Sequence, residues 1–527
     1  MRLLALQIVA SVEQGRIRRD LALDLLFGKP NKEKTKLDRW QTTLILDVAD
    51  LDGFSHRVAD PVVAIEWSGQ LMKYDASRAN ARGQFICGIS GQPDLPVGEK
   101  LPNPSLPVLG LTYLFAVNKV IPCQTRYGKT STGIFPMGKN TIQRLKDALL
   151  YFTEDCRRGR TWSAVPNASR EKPDLLIAYL EEEPESEIPL VGLFADAALD
   201  PALESEMYER RTEHICLALR LLGERRGDIH LRVIALNEID KGRKQVVFSG
   251  RYSARNILEA RSRWLAGTRN IPTIAVPLPV ERGKSIDWRS GYQPSFYEAM
   301  YSFKKQWIRA GSVSCAVPGV DLGRVYHLFL EPDAKAQSVW LLERYLPLTV
   351  PLLIGLGRPI ASEKERKKAL PEAARKEALV VIALYGVLLL VQGRSKEIYM
   401  ESRDYLLGQF LQMADLLHKL YCKHERKNSI PPQLIGNAAI SMAMQSPRRA
   451  LQVLPTRMAV YLAWADRFNG KEEVGLVKWV RKELGRISAL LKDQNLETGV
   501  TAPGRAELLL GYLANPNQTN KQDGVSA

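Results

Sequence analysis

Three clusters in this chain carry residue types that catalysis uses. Gly128, Lys129 and Thr130 read as the end of a phosphate-cradling loop, in which backbone amides and a lysine hold phosphates. Cys123 takes the place of that loop's first glycine, and no strand-loop-helix frame is secure around it. Pro173 and Asp174 open a metal-nuclease pattern, yet Glu181, Glu182 and Glu183 are followed by no lysine before Lys241. An acidic surface loop is the expectation there. His418 and Cys422 share a helix face and His424 follows, but a fourth zinc ligand is missing, so packing roles are expected instead. The chain is therefore read as having no catalytic residue, no metal and no cofactor.

Other clusters suit the binding of a polyanion. From Arg126 to Asn140 the sequence is free of acids and rich in hydroxyls, and Gly128, Gly133 and Gly138 permit close backbone approach. Arg126, Lys129 and Lys139 would position a nucleic-acid backbone, while Thr130 or Asn140 would read a base edge. Arg448 and Arg449 stand at a helix entrance after Ser446 and Pro447. With Lys478, Arg481 and Lys482 they are candidate backbone contacts to a strand or heteroduplex. Phe296, Tyr301, Phe303 and Trp307, among Lys304, Lys305 and Arg309, suit either base stacking or a core with a basic outer face.

The composition points the same way. The chain has 527 residues, 74 Lys and Arg against 58 Asp and Glu, and a net charge of +16, which favours a polyanionic partner. The surplus is segregated: residues 111–170 hold ten bases and three acids, and residues 181–209 hold ten acids and no base. The six cysteines lie far apart without a C-x-x-C pair, which argues against a disulfide framework and for a reducing cytoplasm. Gln7 interrupts the apolar start and no small-residue cleavage pattern follows, so a signal peptide is not expected. The apolar run Ala378 to Val391 is too short to span a bilayer and reads as a buried helix; no membrane partner is expected.

These groups need a scaffold of two kinds. Short β-branched and aromatic runs, VVAIEWSGQLMKYD, GQFICGIS, PDLLIAYL and IHLRVIALNEIDKGRKQVVFSGRYSA, predict strands, the last two joined at Asp240 to Gly242. An acidic helix lies between PDLLIAYL and IHLRV, and FYEAMYSFKKQWIRAG is expected to begin a mostly helical second half. After Ala373 almost no strand signal remains. The fold class is α+β: a sheet-containing N-terminal portion, residues 1–370, then an all-α helical-bundle domain, residues 371–527. In the bundle, Leu406, Phe410, Met413, Leu417 and Leu420 recur at helical spacing with Arg403, Gln409, Gln412 and Lys419 between them, which predicts one apolar face. Pro431 and Pro432 would end that helical unit.

PDLLIAYLEE, VIALNEIDKGRKQVVFSGRYSARNILEARSRW, LERYLP, IYMESRDYLLGQFLQMADLL and AELLLGYLA, in this order, resemble the large subunit of type I-C CRISPR surveillance (Cascade) complexes, over roughly Cys123 to Ala514. Gly242 with Arg243, Trp264, and Tyr405 to Gly408 carry the resemblance. It implies a DNA-binding subunit without chemistry of its own. Such a subunit reads the motif flanking the target in double-stranded DNA, stabilises the opened strands around the CRISPR RNA, contacts other Cascade subunits and helps recruit a separate helicase-nuclease. It also implies a small-subunit-like C-terminal piece, for which Met400 would be an internal start.

Overall fold

The structure, a computed structural model, describes residues 85–97, 101–115, 136–165, 173–194, 204–240, 243–276, 287–289, 292–309, 312–314, 322–358, 371–470 and 473–515, with residues 14, 15, 128 and 134. The protein is a mixed α+β chain, with small antiparallel sheets in the N-terminal region and a mostly helical C-terminal region. Met1–Pro102 with Phe115–Leu145 form one compact unit, and Asn103–Leu114 with Lys146–Ala527 form another. The strands expected from VVAIEWSGQLMKYD lie outside the described residues.

In the first unit, Phe85–Ile86 pairs antiparallel with Pro93–Asp94, and Lys139 opens helix α1 (Lys139–Phe152). The second unit is built on a four-stranded antiparallel sheet in chain order: β1 (Trp162–Val165), β2 (Asp174–Leu180), β3 (His230–Asp240) and β4 (Arg243–Ser253). β2 is an interior strand, and its near-continuous apolar run is buried on both faces. Leu176, Ala178 and Leu180 enter the main core, while Leu175 and Ile177 join Trp162, Leu106 and Leu109 on the other side. β3 alternates, so Leu231, Val233 and Ala235 are buried on one face. The acidic helix expected between the strands is α2 (Glu204–Arg226). The tip of the β3–β4 hairpin, residues 241–242, lies outside the described residues.

β4 runs straight into α3 (Ala254–Thr268), because Ser253 Oγ accepts the Asn256 amide at 3.2 Å and caps the helix. Trp264 on α3 is buried edge-on against Phe329, with ring centroids 5.1 Å apart. The stretch expected to be helical from Phe296 divides. α4 (Phe296–Ser302) ends, and Gln306–Arg309 pairs antiparallel with Ser312–Ser314. Alternation explains the change, since Trp307 is buried and Ile308 is exposed, the period of a strand and not of a helix.

The rest is helical: α5 (Leu322–Leu330), α6 (Lys335–Leu356), α7 (Glu372–Val391), α8 (Lys396–Tyr399), α9 (Arg403–Glu425), α10 (Ile435–Gln445), α11 (Pro447–Arg467), α12 (Val474–Lys492) and α13 (Ala502–Leu513). The expected domain boundary near residue 370 falls in 359–370, outside the described residues. Helices on either side of it share one apolar cluster. Among the described residues α6 alone is long and apolar enough to cross a membrane, and it packs as a core helix with α7 and α13. The Ala378 to Val391 run is the buried heart of α7.

α9 differs from the single-faced helix expected. It is the bundle's central helix, packed on α10, α11, α12 and α13, so Gln409 and Asp415 are buried along with its leucines. It also stops before Pro431. Lys427 and Asn428 adopt left-handed backbone at φ 49° and 63°, and the Arg426 and Asn428 amides both turn back to the Cys422 carbonyl at 3.1 Å.

Candidate nucleic-acid interface

Of the flanking-motif candidates, Arg126, Lys129 and Thr130 lie outside the described residues, and Lys139 and Asn140 are exposed on the first turn of α1. That turn is held by Asp94, a residue sequence reasoning missed. Its carboxylate accepts the Asn140 amide at 3.2 Å, the Thr141 amide at 3.0 Å and the Thr141 hydroxyl at 2.9 Å. Gly138 is required there, because a Cβ would lie 1.9 Å from Asp94 Oδ2. The stretch is acid-free in sequence but not in space. Cys87 also closes on it, accepting the Gly138 amide at 3.2 Å. Burial pushes the Cys87 thiol up, and hydrogen bonds from Ser90, Thr141 and Gly138 outweigh it, bringing it down to about 6.

Burial likewise raises the Asp94 carboxyl, and its bonds from Thr141, Asn140 and Leu95 outweigh this and hold it below the usual carboxylate range. Its stabilisation is present above that range and lost as pH falls through the folded value. Asp94→Ala should cost roughly 1–2 kcal/mol, as the loss of an N-terminal cap does. Hydrogen exchange of the Asn140 and Thr141 amides checks this; unchanged protection would show that Asp94 does not hold the turn.

The C-terminal candidates form a second surface. α11 and α12 run antiparallel, pinned at both ends: Arg448 pairs with Glu497 beyond α12, and Asp466 at the end of α11 pairs with Arg481. Ser446 Oγ caps α11 by accepting the Arg449 amide at 3.4 Å, so that amide at the helix entrance is already satisfied. α11 carries four bases and one acid, and α12 five bases and one acid. Both acids are held by arginines, Asp466 by Arg481 and Glu483 by Arg486. Among the described residues, Arg449, Arg457, Arg467, Lys478, Lys482 and Lys492 are exposed and without a carboxylate within 4.0 Å. Lys478 and Lys482 lie one helical turn apart, beside Gly485, whose missing side chain faces open space.

The catalytic patterns fare differently. Asp174 begins β2 and Glu181 follows its end, so about 20 Å of strand separates them and they cannot share an ion. Glu181 is instead bound by Arg232 and Arg251, each at 2.6 Å, whose hydrogen bonds hold its carboxyl low against its partial burial. With Glu182 and His230 it makes the one carboxylate–histidine group of metal-site dimensions among the described residues, but these arginines occupy the place of a cation. His418 stacks on Tyr461, His424 bonds Glu473 at 3.0 Å, and Cys422 is buried, so no ion site joins the three. Phe296, Phe303 and Trp307 are core residues, and Lys305 pairs with Glu377 while lying 4.0 Å from the Tyr301 ring centroid. The base-stacking alternative has no exposed ring of that group to use except the partly buried Tyr301.

Cys87, Cys156, Cys216 and Cys422 are free thiols, as their spacing predicts. No protein-family model matches the chain, and no curated protein matches it.

Proposed function

We propose that this chain is the DNA-binding large subunit of a type I-C CRISPR surveillance complex, cytoplasmic and without catalysis of its own. In this reading it recognises the flanking motif in double-stranded target DNA through the turn that carries Lys139 and Asn140. It supports the opened strands around the CRISPR RNA through its C-terminal helices, and it works with other Cascade subunits and a separate helicase-nuclease. The observation that carries the reading is the α11–α12 face, where, among the described residues, Arg449, Arg457, Arg467, Lys478, Lys482 and Lys492 are exposed with no carboxylate within 4.0 Å, while the acids of the two helices are held by Arg481 and Arg486. A surface serving solubility alone has no need to remove acids from one face, whereas a surface that meets phosphates does.

Reversing Arg449, Lys478 and Lys482 to glutamate together should weaken duplex DNA binding by at least about tenfold near 0.1 M salt, and flatten the salt dependence by close to one log unit per lost contact. Binding titrations at several salt concentrations measure both. Salt-independent affinity of the unaltered chain would overturn the proposal. So would magnesium-dependent DNA cleavage that disappears on Asp174→Ala, which would make the chain a nuclease.

A further inference from the structure

The outer face of α2 is apolar at its centre. Ile215 and Leu219 turn into the core, but Leu217 and Leu221, one turn apart on the opposite side, are 50% and 45% exposed. Beside them lies an open groove of about 690 Å³, lined by Ile188, Pro189 and Ala218 with His214 at its flank. A leucine standing singly on a surface needs no explanation, whereas two in line beside an apolar recess mark an interaction face.

Helical geometry, at about 100° per residue, lays this face out around Leu217. Glu213 and Arg220 fall on one flank, and His214, Ala218 and Leu221 fall on the other, toward the groove. Glu213 stands about one turn before Leu217 and Arg220 about one turn after it. Both are exposed, and neither has an ion-pair partner among the described residues, although Arg226 of the same helix pairs with Glu183. A twofold axis beside Leu217 sets each of these charges opposite its complement. Two α2 helices running antiparallel about that axis bring Glu213 of one copy to Arg220 of the other, twice. The same operation lays Leu221 of each copy over the groove of the other, while Leu217 meets its own counterpart. Charge and shape are therefore self-complementary in one patch, and a patch of that kind closes into a pair and does not propagate into a fibre.

We propose that α2 is the contact face of a twofold-symmetric homodimer of this chain. The proposal is independent of the nucleic-acid reading and adds a partner, a second copy, that the reading does not contain. A polyanion does not suit this face, because its exposed acids are not taken up by neighbouring arginines as those of α11 and α12 are.

Sedimentation velocity of the full chain, at concentrations up to about 0.1 mM, should show a monomer–dimer equilibrium, since one helix face is small for a permanent interface. Leu217→Asp should weaken dimerisation at least about tenfold, because it places two carboxylates at the axis. Glu213→Arg and Arg220→Glu each set like charges opposite one another and should each weaken it about three- to tenfold. An equimolar mixture of these two variants should associate again, as each meets its complement in the other. That recovery also shows that both variants are folded. A parent chain that stays monomeric, a dimer that Leu217→Asp leaves intact, or charge variants that remain apart when mixed would each overturn the proposal. If Leu217→Asp instead strips a co-purifying protein from a monomeric parent, the face belongs to that protein and the homodimer is refuted.

Discussion

Gly408→Ala should destabilise the protein by about 3 kcal/mol or more, a large effect for one methyl group. A Cβ at position 408 would lie 2.1 Å from the Leu508 carbonyl oxygen and 2.8 Å from the Tyr512 amide nitrogen. Both are backbone atoms of α13, which cannot move aside as a flexible side-chain end can. The contact is reciprocal, because a Cβ at Gly511 would lie 2.2 Å from the Tyr405 carbonyl. The two helices therefore touch backbone to backbone at two glycines, and separating them would open the packing of Leu407, Leu411, Leu508 and Leu509, all fully buried. Gly485→Ala is the internal control. It lies inside α12 with nothing within 4 Å of a built Cβ, so alanine there should stabilise by roughly 0.5–1 kcal/mol through helix propensity. Urea denaturation of the two variants separates the cases, and an unchanged midpoint for Gly408→Ala would refute the backbone contact.

The same two glycines show what the sequence makes legible. Tyr405 to Gly408 opens the stretch whose spacing predicts a helix, Leu508 to Tyr512 falls in the domain expected to be all-α, and both belong to the family resemblance. Nothing along the chain says that one packs on the other, since that pairing is made by tertiary structure across about a hundred residues. Three strands of the four-stranded sheet are legible, because β2 carries a continuous apolar run and β3 an alternation that turns back into β4, whereas β1, four residues long, carries no such pattern. The single apolar face expected of α9 rests on polar residues such as Gln409 between the leucines, and polarity alone cannot tell an exposed residue from a buried one with partners. The candidate interface divides in the same way. The bases of α11 and α12 are visible by composition, but that their acids are taken up by Arg481 and Arg486 is a fact of geometry. Asp94 was invisible because no rule relates positions 94 and 140.

The stability of the bundle should fall as pH rises from about 4 to about 7, through one buried acid. Asp415, at the centre of α9, accepts the Gly436 amide at 2.5 Å and the Asn437 amide at 2.8 Å, so it caps α10 from the side. Tyr512 of α13 donates its hydroxyl to the same carboxyl at 2.6 Å, and Asn437 Nδ2 reaches the carbonyl of Ile354 on α6 at 2.9 Å. Four helices meet at this group. Burial pushes its pKa up to about 7, and the bonds from Tyr512, Gly436 and Asn437 offset only part of that. The folded value stands above the unfolded one, so the folded state binds the extra proton between them, and stability declines with pH by about 1.4 kcal/mol per unit, on the order of 4 kcal/mol across the window. Below about 4 the contribution is fully present, and above about 7 it has been lost. Asp415→Asn keeps the shape and removes the titration. The difference in stability between the two proteins, from urea midpoints at successive pH values, should therefore change with that slope between pH 4 and 7 and be level above it. A difference independent of pH would mean that Asp415 is already ionised in the folded protein. Because Asn437 and Tyr512 tie this acid to Ile354 and Gly357 of the α6 end, a chain beginning at Met400 would lack partners that the junction uses. Loosening it by pH should therefore weaken the hold of the C-terminal helices on the rest of the core, and with it the support of the basic face on α11.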